Sequence, residues 1–335
     1  MIPVRLTLPI AGLVIFLLPC RLASAQEVKP LDRDEVTFTL DSIVQILRDN
    51  YVFPEVAEKM AEAVRLNHTK GQYDELSTPA AFAQQLTRDL QAVSRDKHLR
   101  VLYSPHVIAE ERKVKTQADR DRLEQERARE LKQDNFGFRE AKILDGNIGY
   151  LDLRMFADPK YAGETAHAAM RTFGQVDALI IDLRRNGGGS PFMIQLISSY
   201  FFSDKPVHLN SFYDRPSNTT SETWTLPKTA GFRRPELALY ILTSSYTFSA
   251  GEEFCYNLKN LKRATLIGEV TGGGAHPTGS VIATDKFFVR VPKGRAINPI
   301  TQTNWEGTGV IPDIQVPADE ALNVALEKAR AVKKR

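Results

Sequence analysis

The spacing of apolar residues changes character twice along the chain. From Val36 to about Arg95 it is helical. In "STPAAFAQQLTRDLQAV", Phe82, Leu86, Leu90 and Val93 fall on one face, Thr78 can cap, and Pro79 suits the first helical position. "EVTFTLDSIVQILRDNY" and "PEVAEKMAEAVRLNH" carry the same period. "DKHLRVLYSP" then alternates, with Leu99, Val101 and Tyr103 opposite His98, Arg100 and Leu102, which predicts a short strand. Residues 26–105 are therefore expected to form a small helical domain ending in that strand. Residues 106–135 contain "AEERKVKTQADRDRLEQERARELKQD", rich in charge and poor in apolar positions, and read as a solvated helix or linker.

Beyond Phe136 the pattern becomes mixed. "KILDGNIGYLDL" predicts a hairpin turning near Asp145-Gly146-Asn147. "KYAGETAHAAMRTFG" is helical, and "ALIIDLR" is an unbroken apolar run that suits a strand buried on both faces. "PFMIQLISSYFF", "LALYILT", "SAGEEFCYNLKNLK" and "ATLIGEV" then alternate helix and strand, a βαβ series with right-handed crossovers. The β segments of "GSVIATDKFFVRVP" and a C-terminal helix, "ADEALNVALEKARAVKKR", complete an α/β core over 136–335. No internal repeat is present.

Composition narrows the picture little. The 335 residues are 42% apolar and 25% charged, and a formal charge of +3, scattered along the chain, argues against nucleic acid as a partner. The N-terminus changes it more. Residues 1–25 order an early Arg5, an apolar run from Leu6 to Leu18, and Ala23-Ser24-Ala25, as a secretory signal cleaved after Ala25 does. The run is short for a membrane span, so export to a secreted or periplasmic location is expected, without stable membrane insertion. Cleavage there leaves Cys255 alone, with no internal disulfide possible.

Ligand sites in open α/β sheets lie beyond the carboxyl ends of the strands. Three such ends carry "DLRRNGGG", "TSSYTFSAGE" and "GEVTGGGAHP". The glycines after Asn186 permit positive φ and close backbone approach, and suit an oxyanion donor better than a phosphate cradle, because the P-loop lysine and the GxGxxG spacing are both lacking. Ser249 opens a helix as the first residue of an S-x-x-E capping box, Ser249 to Glu252. It also stands where the Ala250 N–H and the positive end of the helix dipole face outward, the surroundings of a nucleophile. A serine needs a base. Of the six histidines, His98 and His276 stand near glycine-rich or strand segments and are the better candidates, and spacing does not choose between them. No cluster has the spacing of a metal site, and no cofactor is expected.

Taken together, "ALIIDLRRNGGGS", "TSSYTFSAGEEF", "GEVTGGGAHP" and "VPKGRAINPITQTNWEGTGVIPD" resemble the core of the tail-specific or C-terminal-processing serine peptidases, in family order from Phe136 to Asp313. The resemblance implies a crotonase- or ClpP-like β/α spiral and a nucleophile at Ser249. The branch that uses a lysine base is a poorer match, since its lysine position falls on Gly274 and no PDZ-like segment is evident. The branch of the tricorn protease core and the interphotoreceptor retinoid-binding modules is similar through His98 in "SRDKHLRVLY" and Glu306 in "NWEGTGVIPD". It implies His98 as base, Glu306 as supporting carboxylate, and backbone N–H groups of Gly188 and Ala250 as the oxyanion hole, with the loop donor assigned within one residue. The hydroxyl that bridges His and Glu in that branch is replaced by Lys97.

The expected function is that of an exported serine endopeptidase that cleaves unfolded or C-terminal polypeptide segments, and Lys293 and Arg295 are candidates to meet a substrate carboxylate. Two rivals follow from the same residues: a non-catalytic binding module for apolar ligands, and crotonase-type chemistry on an acyl thioester, which the export signal disfavours.

Overall fold

The computed structural model describes residues 29–76 and 78–332, so the expected signal segment lies outside the described residues. Three helices open the chain: α1 (Arg33–Asn50), α2 (Pro54–Thr69) and α3 (Pro79–Ser94). Their starts are chemically marked. Asp32 and Glu35 form a reciprocal capping box at α1, and the Thr78 hydroxyl accepts the Ala81 N–H at 3.1 Å at α3. Strand β1 (Arg100–Tyr103) follows, and His98 lies in the turn before it, not on the strand. The charged stretch forms two helices, α4 (Pro105–Lys113) and α5 (Gln117–Gln133); α5 buries no residue, as its lack of an apolar face requires.

The core is a six-stranded sheet. Its strands are β2 (Phe138–Leu144), β3 (Ile148–Leu153), β4 (Ala178–Asp182), then β7 (Ala238–Thr243), β8 (Thr265–Gly268) and β12 (Ile314–Gln315). Between β4 and β7 lie β5 (His208–Asp214) and β6 (Thr219–Trp224). The spatial order β2-β3-β4-β7-β8-β12 follows the chain without reversal, antiparallel only at the β2–β3 hairpin. With strands laid down in one direction, crossovers of one hand all fall on one face. Helices α6 (Pro159–Thr172), α7 (Pro191–Ser199) and α8 (Ala250–Asn260) accordingly share a core with Leu179, Ile181, Leu239 and Ile241. The alternate residues Ala178, Ile180 and Leu242 face the other way, where Ala321, Ala325 and Ala329 of α9 (Ala321–Val332) cover them.

The segment read as trailing β structure is a hairpin, β9 (Thr278–Ile282) and β10 (Phe287–Pro292), and it does not join the core sheet. It pairs with β1, and Phe287, Val289 and Val291 are buried among the residues of α1, α2 and α3. A third small sheet is β11 (Gly294–Ile297) beside β5 and β6. The β9–β10 hairpin thus leaves the core, completes the helical layer and returns. It binds the two layers together immediately beside the "GGGAHP" loop.

Phe287 is the key to that junction. It is fully buried, edge-on to Phe82 at 5.7 Å and tilted against Tyr103 at 5.5 Å between ring centroids. Phe287→Ala is expected to cost about 3–5 kcal/mol of stability. Urea unfolding followed by fluorescence checks this; a loss under 1 kcal/mol would mean the hairpin is not integral to the helical layer.

Candidate active site

Ser249 is the residue before α8, and its backbone is strained, with φ 55° and ψ −122°. A side chain other than glycine's rarely occupies this region, at a cost of about 1–3 kcal/mol. The cause is the sharp passage from the turn after β7 into α8. The Gly251 N–H donates to the Phe248 carbonyl at 3.0 Å, and the N–H groups of Glu252 and Glu253 both donate to the Ser249 carbonyl at 2.9 Å. The S-x-x-E pair faces itself as a capping box, but only one half closes as a hydrogen bond: the Glu252 carboxylate accepts the Ser249 N–H at 2.9 Å, and the Ser249 side chain makes no cap bond. The hydroxyl is therefore not consumed by the helix end. The Ala250 N–H takes no backbone acceptor either.

Glu252 does far more than cap. It is fully buried, and its two oxygens accept the Thr271 hydroxyl at 2.5 Å and the N–H groups of Gly273 and Gly274 at 2.6 and 2.8 Å, besides Ser249. Burial pushes its pKa upward and these donors oppose the shift. The "TGGG" loop is thereby tied to the first turn of α8.

The "NGGG" loop approaches from the other side. A Cβ placed on Gly188 would lie 2.8 Å from the Ser249 Cβ and 3.2 Å from the Ala250 nitrogen, so only glycine fits there. Its N–H, expected to serve an oxyanion, donates to Asn186 Oδ1 at 2.9 Å. A developing oxyanion would have to compete with that amide, whereas the Ala250 N–H is open.

His98 is brought to this corner. Its ring lies 4.6 Å from that of Phe248, the neighbour of Ser249, and a Cβ on Gly274 would meet its Cε1 at 2.7 Å. Burial lowers its pKa to about 4, against the opposing pull of Asp96, so the imidazole is neutral over the ordinary pH range. Its Nδ1 is buried and without a hydrogen-bond partner.

Glu306 is not at that nitrogen. Its Oε2 accepts the Ala275 N–H at 2.5 Å and lies 3.5 Å from His276 Nδ1. Burial, with help from Asp96, raises its pKa to about 7. His276 Nδ1 meets Asp96 Oδ2 at 2.6 Å, and Asp96 Oδ1 accepts the backbone N–H of His98 at 3.0 Å. Of the two histidines the sequence left open, His276 holds the carboxylate pair and His98 holds the place beside Phe248. Asp96 is the residue that sequence reasoning missed; its one visible signal is its position two residues before His98. Lys97 points away from this pair and donates to the Gly272 carbonyl at 2.6 Å.

Asp96, His276 and Glu306 offer one ligand atom each within 4.8 Å of one another, a donor set that suits a divalent cation. A metal would have to open the direct Asp96–His276 contact. Lys293 and Arg295, the expected carboxylate partners, lie elsewhere: Lys293 packs over Gly279 and Arg295 over the Tyr213 ring. Cys255 is fully buried, which raises its pKa and leaves it inert.

Residues 147–316 match peptidase family S41, and residues 21–134 match the N-terminal domain of Peptidase_S41 in eukaryotic IRBP. The chain is 32% identical over 133 residues to the tricorn protease of Thermoplasma volcanium, a stretch that is 39% of this chain and 11% of that protein. A putative peptidase from Parabacteroides merdae superposes with a TM-score of 0.61 at 18% identity, over 88% of this chain and 96% of that one. A lipoprotein from Streptococcus agalactiae does so with a TM-score of 0.56 at 14% identity, over 91% and 98%. At those identities the likeness is one of fold: a crotonase/ClpP-like α/β core with a helical N-terminal region.

Two outcomes are expected from this geometry. Ser249→Gly relieves the strained backbone and removes no cap bond, so the melting temperature should rise by about 2–4 °C. A fall on differential scanning calorimetry would show that the strain is absent. The second concerns Glu253, which is buried on α8, where burial raises its pKa to about 7 against the opposing pull of the Asn210 and Asn257 side chains. An acid raised in the fold keeps its proton where the unfolded chain has lost it, so stability falls as pH rises from about 4.5 to about 7. Glu306 adds to the same slope, and His98, whose pKa is lowered in the fold, opposes it between about pH 4 and 6.5. Glu253→Gln should remove its own share, stabilising the protein by about 2–3 kcal/mol at pH 8 and little at pH 4.5. Urea midpoints across that range read the difference, and an unchanged slope would refute it.

Proposed function

Because the chain belongs to peptidase family S41, a family of serine-type peptidases, we propose that it hydrolyses peptide bonds with Ser249 as nucleophile, and that its substrates are unfolded or C-terminal polypeptide segments met after export. The observation that carries this reading is the state of Ser249: a strained residue with an uncommitted hydroxyl, beside an open Ala250 N–H and under a glycine loop that only a missing side chain lets so close. A packing or capping serine needs none of these. In this reading the neutral His98 imidazole takes the Ser249 proton as the oxygen attacks the carbonyl carbon. The carbonyl oxygen gains charge against the Ala250 N–H, aided by the dipole of α8, and the Gly188 N–H joins only if it leaves Asn186 Oδ1. The imidazolium then gives its proton to the leaving amine, and water repeats the sequence on the acyl-enzyme.

Asp96 is the carboxylate that supports this cycle. It fixes the backbone of His98 and shares the dry pocket with its ring, so it stabilises the imidazolium without a bond to Nδ1. Glu306 stands one step further out, against His276. A second reading has one observation in its favour: His276, not His98, has its Nδ1 held by a carboxylate at 2.6 Å, the arrangement that orients a base. The two readings separate by mutation.

With a mixture of unfolded proteins as substrate and mass spectrometry as readout, Ser249→Ala should abolish cleavage while circular dichroism stays unchanged. His98→Ala should lower kcat by about 10³-fold or more. His276→Ala should lower it by about 10–100-fold, through loss of the contact to Asp96. The reverse ranking would make His276 the base. Cleavage retained in Ser249→Ala would end the serine-peptidase reading. The depressed His98 pKa also means that kcat/KM should persist below pH 6, until the imidazole itself gains a proton.

A further inference from the structure

One cleft beside the nucleophile loops has no part in the chemistry above. It encloses about 670 Å³ and is lined by Arg139, Arg154, Arg184, Arg185, Asp134 and Tyr246, among others. It is joined to Ser249 through the "NGGG" loop. The Gly187 N–H donates to the Arg154 carbonyl at 3.3 Å, a Cβ on Gly187 would lie 3.8 Å from the Tyr246 hydroxyl, and Gly188 is the residue packed on Ser249.

The four arginines are not equivalent. Arg184 is spent, with Nε and Nη2 on Asp182 at 2.9 and 2.6 Å and Nη1 on the Ala318 carbonyl at 2.6 Å. Arg154 is held by Asp152 through Nε and Nη2, at 2.9–3.2 Å, while its Nη1 stays uncommitted. Arg139 and Arg185 are exposed and make no ion pair or side-chain hydrogen bond among the described residues. Among the described residues Asp134, at the rim, is the only carboxylate in the lining, so positive charge is in excess.

The backbone is shaped to put these groups there. Phe138 pairs with Leu153 and Glu140 with Asp152, so Arg139 is the extra residue of a β-bulge, a device that re-aims a side chain. The three residues before the strand, Asn135, Phe136 and Gly137, all have positive φ, and a Cβ on Gly137 would strike the Met155 backbone at 2.8 Å. Tyr246 adds a 65% exposed ring three residues before Ser249, and Met155 gives an apolar wall.

We propose that this cleft is a specificity subsite that binds a carboxylate of the polypeptide substrate, through the free guanidinium groups of Arg139 and Arg185 with Arg154 as a fixed third donor. Guanidinium forks match a carboxylate in two parallel hydrogen bonds, and the phenol of Tyr246 covers the aliphatic part that carries it. The proposal rests on the peptidase reading and names its substrate class: polypeptides with an acidic group close to the scissile bond. The carboxylate can come from an Asp or Glu side chain or from the chain end.

Matched fluorogenic peptides distinguish the sources. One set carries Glu or Gln at each position near the cleavage site with an amidated C-terminus; another is neutral throughout and ends in a free acid or an amide. The unmutated protein is expected to favour a carboxylate by about tenfold or more in kcat/KM, as befits a charge-assisted pair. In Arg139→Gln/Arg185→Gln the preference should fall to within about twofold by a rise in KM, with kcat and the cleavage of neutral peptides unchanged. Discrimination of Glu from Gln identifies a side-chain site, and of acid from amide a chain-end site. Binding is read separately by fluorescence anisotropy on Ser249→Ala, with and without the two arginine changes. If nothing is cleaved but acidic peptides still bind in an arginine-dependent way, the peptidase reading fails and the subsite stands. Equal cleavage of acidic and neutral peptides, equal binding of both, or a preference that survives the double substitution overturns the subsite.

Discussion

The candidate site depends on one buried carboxylate. Glu252 gathers donors from three places: the Ser249 N–H, the Thr271 hydroxyl, and the N–H groups of Gly273 and Gly274. Each of these is a lever on something else. Thr271 also accepts the Val310 N–H at 2.7 Å, and Gly274 accepts the Trp305 indole N–H at 2.8 Å, so the segment carrying Glu306 is positioned through them. Gly274 also sets the space between Phe248 and His98. A carboxylate with every lone pair occupied can remain in a dry interior, and removing it would orphan four donors at once. Ser249, the "TGGG" loop and the segment carrying Glu306 are therefore tied into one unit.

The second constraint is that His98 belongs to a different layer from Ser249. The helical layer carries Asp96 and His98, and the core carries Ser249, His276 and Glu306. The β9–β10 hairpin closes the gap in the fold, and the Asp96–His276 contact closes it at the site. Asp96 spends one oxygen on the His98 backbone and the other on His276, with the Tyr51 hydroxyl at 3.4 Å. His276 faces two carboxylates. The His98 ring receives only the field of Asp96 and loses to desolvation. A neutral imidazole is the form that can accept a proton at neutral pH.

Most elements were legible in the sequence because each has a local cause. Apolar runs of β4 and β7, the capped starts of α1 and α3, and the alternation of β1 announce themselves within a few residues. What was not legible needed a distant partner. The "S-x-x-E" pair reads as a capping box, and nothing local says that Glu252 is buried and that its remaining lone pairs belong to a loop about twenty residues on. The alternation in "FFVRVP" predicts a strand but not which sheet receives it, and it went to the helical layer. Asp96 and His276 are 180 residues apart, and a resemblance that matched His98 and Glu306 gave no reason to join either to them. Arg139 was invisible because a bulge has no sequence mark.

Strain and charge converge on the same short segment, and this orders the molecule energetically. Ser249 holds an unfavourable backbone because α8 and the strand before it are fixed on both sides, by Gly188 packed against it and by Glu252 beneath it. Two acids, Glu253 in α8 and the half-buried Glu306 beside His276, have their ionisation opposed by burial. A fold selected only for stability would place glycine at 249 and amides or apolar groups at 253 and 306. Local rules are broken at Ser249 and Glu253, within a few residues of an open N–H and an uncommitted hydroxyl, and again at Glu306, while the surrounding strands obey them. Such a concentration of cost is best explained by chemistry at Ser249, because packing alone would relax each of these features independently.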